Sequence, residues 1–329
     1  MLLLTEEDRR YLTRGMLPEA RSLQVPEDLR GWSWSRPPLE PAYPVRLAVH
    51  EIAAQYCETA RDLYLRRVAG LRSGPSDEMR RGSELHRVIS AAFTTAKARL
   101  YAAEKAAPAV LRGLAEKVSP GVDEGSEART LARHIEDAIV ADVAATLSAQ
   151  PRIESDALVA RVVPAVFDVR LDGGVFGLSR HLIADAIAVP WPVVIDFKFG
   201  PLRKFHRLAT AGYGLAFEAT YEVPVNAGVT IAIEFADGRV VVTKDFHVLD
   251  ADLRQWFIES RDERARLVYH ERDPGLADHH PSSCPFLAAC GVAATPYGKK
   301  EPAELPRVPI ARPSGRIIVF PGGEESSEP

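Results

Sequence analysis

Asp196 and Lys198 stand two residues apart in the run Trp191-Pro192-Val193-Val194-Ile195-Asp196-Phe197-Lys198-Phe199-Gly200. A short apolar run between a Pro-Trp-Pro turn and a glycine reads as a buried strand. Side chains alternate along a strand, so these two charges share one face. An acid in such a strand is costly unless it meets a cation or a metal. The segment Val175 to Val189 reads as the preceding strand. A hairpin about Pro190 and Trp191 then sets Asp185 opposite Asp196, with Cβ atoms about 4.5–5.5 Å apart. Two carboxylates and a lysine converge. Hard cations such as Mg²⁺ and Mn²⁺ take oxygen ligands of this kind. Such a metal can polarise a phosphodiester and acidify bound water, and a neighbouring lysine can orient that water. The same residues also suit a buried Asp–Lys ion pair with Asp185 at a strand end, and this stretch alone does not separate the two.

A second cluster lies near the end of the chain. Asp278-His279-His280-Pro281-Ser282-Ser283-Cys284 and Cys290 place soft and borderline ligands in one loop. With distant Cys57 they can close a four-ligand site of three cysteines and His280 or His279. Such a site suits zinc, which composition favours, or an iron–sulfur cluster. It would staple the two ends of the domain, making metal binding part of folding. The alternative is two buried cysteines beside a solvated histidine pair.

The elements that must position these residues are legible in outline. Residues 1–45 read as an irregular Pro- and Trp-rich arm. Residues 46–150 read as helical: Val45 to Tyr56, a helix after Cys57 with Thr59 as its cap, Asp77 to Ala106, and Glu127 to Leu147 after Ser126. His86 shares a face with Ile89 and Phe93, so it points inward, where a lone histidine is commonly a core residue. Residues 151–270 change period. Ala157 to Val163 and Ala165 to Arg170 read as strands, with a tight turn at Asp172-Gly173-Gly174. A helix from Pro201 to about Ala219, a hairpin across Asp237-Gly238 and a helix capped by Asp250 follow. The whole is an α/β arrangement, a mixed sheet flanked by helices. The cysteine loop occupies 271–292. A Pro-, Gly- and Glu-rich tail over 293–329 is expected to be mobile, with Ile317 to Phe320 as a candidate docking strand.

Composition bounds the function classes. The chain has 329 residues, a net charge of −4, 46% hydrophobic and 26% charged residues. That is ordinary globular material, enough for one large domain or two small ones. Global charge carries no nucleic-acid signature, so DNA contacts must come from local patches such as Arg61, Arg66, Arg67 and Arg72, or Arg203 and Lys204. No apolar run is long enough to span a bilayer, and the first residues do not form a signal peptide. Three cysteines do not make a disulfide framework, and a cytoplasmic location is expected.

Several stretches stand out in order: Leu17 to Arg21, Leu29-Arg30-Gly31-Trp32, Glu51-Ile52-Ala53, Tyr56-Cys57 and Arg61 to Val68, then Gly82 to His86, Ile195 to Lys198, Ala211-Gly212-Tyr213 and Cys284-Pro285-Phe286. Together they resemble the CRISPR-associated Cas-four family of RecB-like nucleases, most closely its longer Csa subfamily. The resemblance implies a restriction-endonuclease-like α/β core. It implies that His86, Asp185 and Asp196 bind the catalytic Mg²⁺ or Mn²⁺ and that Lys198 positions the attacking water. The implied activity is a DNA exonuclease preferring single strands or overhangs, trimming fragments before the Cas-one and Cas-two integrase inserts them as spacers. Arg66, Arg67, Arg81, Arg203, Lys204 and Tyr213 are the expected DNA contacts. Two departures stand out. Ala209 occupies the place where the family often has a glutamine. Only Cys57, Cys284 and Cys290 remain of four cluster cysteines, with His280 near the place of the fourth, so a four-iron iron–sulfur cluster is the first expectation and zinc the alternative.

Overall fold

The alternation of Val, Ile and Phe along the second half of the chain builds a five-stranded sheet. The computed structural model describes residues 3–74, 76–103, 107–123 and 125–295. The expected tail from residue 296 onward, including Ile317 to Phe320, lies outside them. Before the sheet come helices α1 (Val49–Ala53), α2 (Arg61–Arg67), α3 (Asp77–Ala102), α4 (Glu127–Ala149) and α5 (Ser155–Val162). Strands β1 (Ala165–Leu171), β2 (Leu182–Ala188) and β3 (Val193–Phe199) follow, then helix α6 (Arg207–Tyr221). Strands β4 (Ala227–Ala236) and β5 (Arg239–Val248) and helix α7 (Ala251–Tyr269) come next, and shorter helical segments lie elsewhere in the chain.

The strands lie in sequence order, with β3 and β4 parallel and every other pair antiparallel. A parallel pair needs a crossover, and α6 supplies it. One face of the sheet packs under α3 and α4 through Leu85, Ile89, Phe93, Leu131, Ile135 and Ile139. The other packs under α6 and α7 through Leu208, Leu215, Leu253 and Phe257. Ser76, Ser126 and Asp250 cap α3, α4 and α7, each accepting a backbone N–H three residues on. Residues of the arm enter both cores: Leu3, Leu12 and Met16 on the first side, Leu29 and Leu39 on the second.

Four local expectations are corrected. Ala157 to Val163 is helix α5, not a strand, because Leu158 and Val162, four apart, both reach the first core while Ala157, Ala160 and Arg161 stay exposed. The β1–β2 connection is a ten-residue loop, 172–181, with a 3₁₀ turn at Gly174–Phe176 rather than a tight turn. The helix expected from Val45 forms only at Val49–Ala53, since Leu47 is held in a parallel bridge to Leu178. Thr59 does not cap α2. Its hydroxyl donates to the Gly275 carbonyl at 3.0 Å, and Ala60, at φ 57°, occupies the cap.

Candidate active site

The fork between β2 and β3 makes the site. Their ladder holds only Ala186–Ile195, Ile187–Val194 and Ala188–Val193. Beyond it β2 stays with β1 down to Leu182, while β3 stays with β4 out to Phe199. Asp185 and Asp196 are the first residues past the point of separation, and the register continues to place them opposite one another. The Phe197 N–H has no β2 carbonyl to reach and instead donates to Asp185 Oδ2 at 2.8 Å. Strand β2 also turns over at this residue: Ala186 faces the first core and Ala184 the second. Asp185 is thereby placed in the notch between the two cores.

On the α6 side Lys198 folds back along its own strand. Its Nζ donates to Asp196 Oδ1 at 2.8 Å and lies 2.6 Å from Oδ2. Asp196 is 3% exposed, and burial pushes its carboxyl up, with Lys198 pulling it back down. Burial alone would lower the Lys198 ammonium, but Asp196 and Asp185 outweigh it and hold the group above its ordinary value. Asp185 is pushed up to about 6 by burial, despite Lys198 and the Phe197 N–H.

On the other side α3 brings His86, whose Nδ1 lies 3.5 Å from Asp185 Oδ1 and whose ring meets Phe199 edge-on at 5.0 Å. The expectation that His86 points inward holds, and the residue lies against the site, not in a plain core. Burial lowers its imidazole to about 4, against Asp196 and with Lys198, so the ring is neutral and keeps a lone pair. Tyr213 of α6 has its phenol pushed up by burial and then by Asp185 and Asp196.

Several site residues were not legible in the chain. Asp168 lies opposite Asp185 in the β1–β2 register, between the Phe167–Ala186 and Val169–Ala184 pairs. It sits at φ 50°, left-handed in the middle of a strand, and β1 changes faces there as β2 does at Asp185. Ser90, one helical turn beyond His86, donates to its Oδ2. Three adjacent strands therefore carry aspartates at one level. Tyr56 and His206 form a second pair beside Lys198, with Tyr56 Oη 2.9 Å from His206 Nε2. His206 Nδ1 accepts the Arg203 N–H at 3.2 Å, so the ring is the Nε2–H tautomer, and burial and then Lys198 lower it to about 3.

The expected DNA contacts are distributed around this fork. Arg67 is held by Glu51 at 2.7 and 2.8 Å, and Arg81 by Glu127. Arg66 lies over the Phe286 ring at 5.7 Å, while Arg203 and Lys204 immediately precede α6. Ala209 is buried, leaving no polar group at that point of the helix.

At the cysteine loop the segment just after Cys57 meets residues 273–279. Arg61 pairs with Asp273 at 2.9 Å and His279 Nδ1 lies 3.2 Å from Glu58. Cys57, Cys284 and Cys290 are half-buried free thiols. Burial, then Asp62, Cys57 and Cys290, push the Cys284 thiol up, with the Phe286 backbone opposing them. The described contacts of His280 are backbone ones with Thr295, at 2.7 and 2.8 Å.

Among the described residues no three His, Cys, Asp or Glu side chains are gathered around one point as a ready ligand set. The donors at the fork nonetheless suit a hard cation in kind. Asp196 Oδ2 is buried and receives no hydrogen bond of good geometry, so a lone pair is left over, and His86 and Asp185 approach from the opposite side. No helix among the described residues is long and apolar enough to cross a membrane.

Comparison with known proteins follows the same residues. The family model for CRISPR-associated exonuclease Csa1 matches residues 1–293. A Thermoproteus tenax protein of that name is 32% identical over 284 residues, covering 86% of this chain and 98% of its own length. One from Saccharolobus solfataricus is 29% identical over 272 residues, 81% of this chain and 92% of its own length. With that match spanning the arm, the fork and the cysteine loop alike, the chain belongs to the CRISPR-associated exonuclease Csa1 family.

Proposed function

We propose that this protein is a metal-dependent DNA exonuclease that acts on single strands or overhangs and trims DNA fragments for insertion by the Cas-one and Cas-two integrase. The observation that carries the reading is the fork, which presents Asp185, Asp196 and Lys198 from two diverging strands and His86 from α3. The sheet order and the Asp-x-Lys strand at the fork support a restriction-endonuclease-like core of the RecB kind. His86, Asp185 and Asp196 are the residues that would hold Mg²⁺ or Mn²⁺. When bound, the ion supplies a polarised phosphodiester and a more acidic water.

The chain's own residues do the rest. Lys198 stays protonated beside two carboxylates, so its N–H groups can orient a water and stabilise charge developing on the phosphate. Neutral His86 offers a lone pair without adding positive charge. Phe197 N–H fixes one oxygen of Asp185, so the other faces His86. Tyr213 remains a protonated phenol that can donate toward the strand. The test is cleavage of end-labelled single-stranded DNA by anaerobically purified protein with Mn²⁺ or Mg²⁺. Cleavage that a chelator stops supports the reading. No cleavage, alone or with the integrase, would reassign the chain as a DNA-binding adaptor.

The fork also predicts a stability effect. A carboxyl raised to about 6 in the folded protein is ionised there at a cost at neutral pH, relative to an unfolded value near 3.9. The metal-free protein should gain stability as pH falls through 6. Asp185→Asn should stabilise it at pH 7 by up to about 3 kcal/mol while lowering Mn²⁺ affinity. Thermal melts with and without Mn²⁺ check both signs, and an apo melting point lowered by the substitution would contradict the assignment.

For the cysteine loop we propose an iron–sulfur cluster held by Cys57, Cys284 and Cys290, with His280 as the candidate fourth ligand. The support is the ligand chemistry of three half-buried free thiols on two segments that the Arg61–Asp273 and Glu58–His279 contacts bring side by side. Iron and sulfide should co-purify under anaerobic conditions and fall in Cys57→Ser. Zinc without sulfide would replace the cluster with a zinc staple.

A further inference from the structure

The bridge between Leu47 and Leu178 does more than shorten α1. Leu47 N–H donates to the Gly177 carbonyl at 3.0 Å, and Ser179 N–H donates to the Leu47 carbonyl at 2.8 Å. This clamps residues 46–48 against 177–179. Between the two segments lies an open hollow of about 360 Å³, lined by Arg46, Ala48, Arg67, Ser179, Arg180 and His181. Three guanidinium groups and an imidazole thus surround one space, and no acid lines it.

The local partners do not neutralise that charge. Among the described residues only Arg67 of the four has an ion-pair partner, Glu51. That carboxylate is nearly buried and also accepts the Ala48 N–H at 2.8 Å. Arg46, Arg180 and His181 are exposed. Ser179 Oγ accepts the His181 N–H at 3.1 Å, which leaves its own O–H to donate. Like charges converge at a cost that an anion relieves, and guanidinium forks match phosphate oxygens.

The hollow is also in line with the fork. His181 lies four residues before Asp185, about 13 Å along the chain at roughly 3.3 Å per residue. Burial and then Arg66, Arg67 and Lys198 lower the imidazole of His50, against Glu51.

We propose that this hollow is a phosphate subsite, holding the nucleic-acid strand a few nucleotides from the bond cut at the fork. The separation corresponds to about four stacked nucleotides at 3.4 Å each. The inference rests on the DNA reading above, and it adds Arg46, Arg180, Ser179 and His181 to the surface that reading uses. The group held is a phosphate, either an internal phosphodiester or the phosphomonoester at a strand end.

The experiment is fluorescence anisotropy on the full chain, with chelator present to prevent cleavage. Single-stranded oligonucleotides with phosphorylated or hydroxyl ends are titrated over a range of salt. Arg46→Ala/Arg180→Ala is compared with the natural protein and with Arg10→Ala, a change on the arm. The double variant should bind about tenfold more weakly at low salt. Its plot of log affinity against log salt should be shallower by about 1.4, the value for two lost single-strand phosphate contacts. Equal losses for all oligonucleotides identify an internal phosphodiester. A preference for phosphorylated ends that disappears in the variant identifies the terminal group. Unchanged affinity and slope in a folded double variant would overturn the subsite. Lost binding in a chain that never cleaves would keep the subsite and remove only the nuclease reading.

Discussion

Asp196→Asn and Lys198→Ala are each expected to reduce divalent-dependent cleavage of single-stranded DNA by at least about 10²–10³-fold, the usual loss when one preorganised charge stabiliser is removed. The two groups are one unit in the fold, with Lys198 Nζ 2.6 Å from Asp196 Oδ2. Removing the ammonium leaves a carboxylate that is 3% exposed without its cation, so its pKa rises further and it becomes a poorer metal ligand. Removing the carboxylate charge takes away the partner that keeps Lys198 protonated, and one of three donors for the ion. Each single change therefore damages both functions, and the double variant should be little worse than either single one. DNA binding should persist, because the expected strand contacts Arg66, Arg67, Arg203 and Lys204 are untouched. Cleavage surviving both substitutions would point to a contaminating nuclease.

This part of the site was legible because it depends on local rules. Alternation put Asp196 and Lys198 on one face, and a hairpin centred on Pro190 and Trp191 put Asp185 opposite Asp196, where the observed register carries them. The remainder depends on long-range geometry. Nothing in Val166-Phe167-Asp168-Val169 marks the aspartate as left-handed, yet its backbone turn and the matching one at Asp185 let the hairpin change faces beside α3. Tyr56 and His206 are 150 residues apart in the chain. The run Ala157 to Val163 misled because its β-branched residues suit a strand locally, and only the four-residue spacing of Leu158 and Val162 shows the helix. The arm motif Leu29-Arg30-Gly31-Trp32 was visible as a pattern, but its physical purpose was not.

That purpose supplies the largest expected change in stability. Glu218 of α6 is fully buried and accepts five hydrogen bonds: from Arg254 at 2.8 and 2.9 Å, Arg30 at 2.9 Å, and the Gly31 and Val225 N–H groups at 2.8 and 2.9 Å. One carboxylate thus ties the arm, α6, α7 and the start of β4 together. Burial alone would raise it, but Arg254 and the backbone donors hold it below the usual carboxylate range. Its contribution is present above the unfolded value near 4.3 and is lost as pH falls through the lower folded value. Glu218→Gln keeps the shape, yet strands Arg254, itself 1% exposed, beside a neutral amide, and should cost about 3–5 kcal/mol. Gly31 is confined for a different reason. A Cβ there would lie 2.2 Å from the Leu215 carbonyl oxygen and 2.8 Å from the Ala219 nitrogen, both backbone atoms of α6 that cannot give way singly. Gly31→Ala should therefore push the arm off α6, break the Gly31 bond to Glu218, and cost about 3 kcal/mol or more. Trp34→Ala, at a side chain 43% exposed, should change stability by no more than about 0.5 kcal/mol. Urea denaturation of the three variants separates the cases. A Gly31→Ala protein as stable as the natural one would show that the arm is an accessory on the domain, and a clear loss shows that the motif is the clasp that holds α6, and with it Tyr213, against the fork.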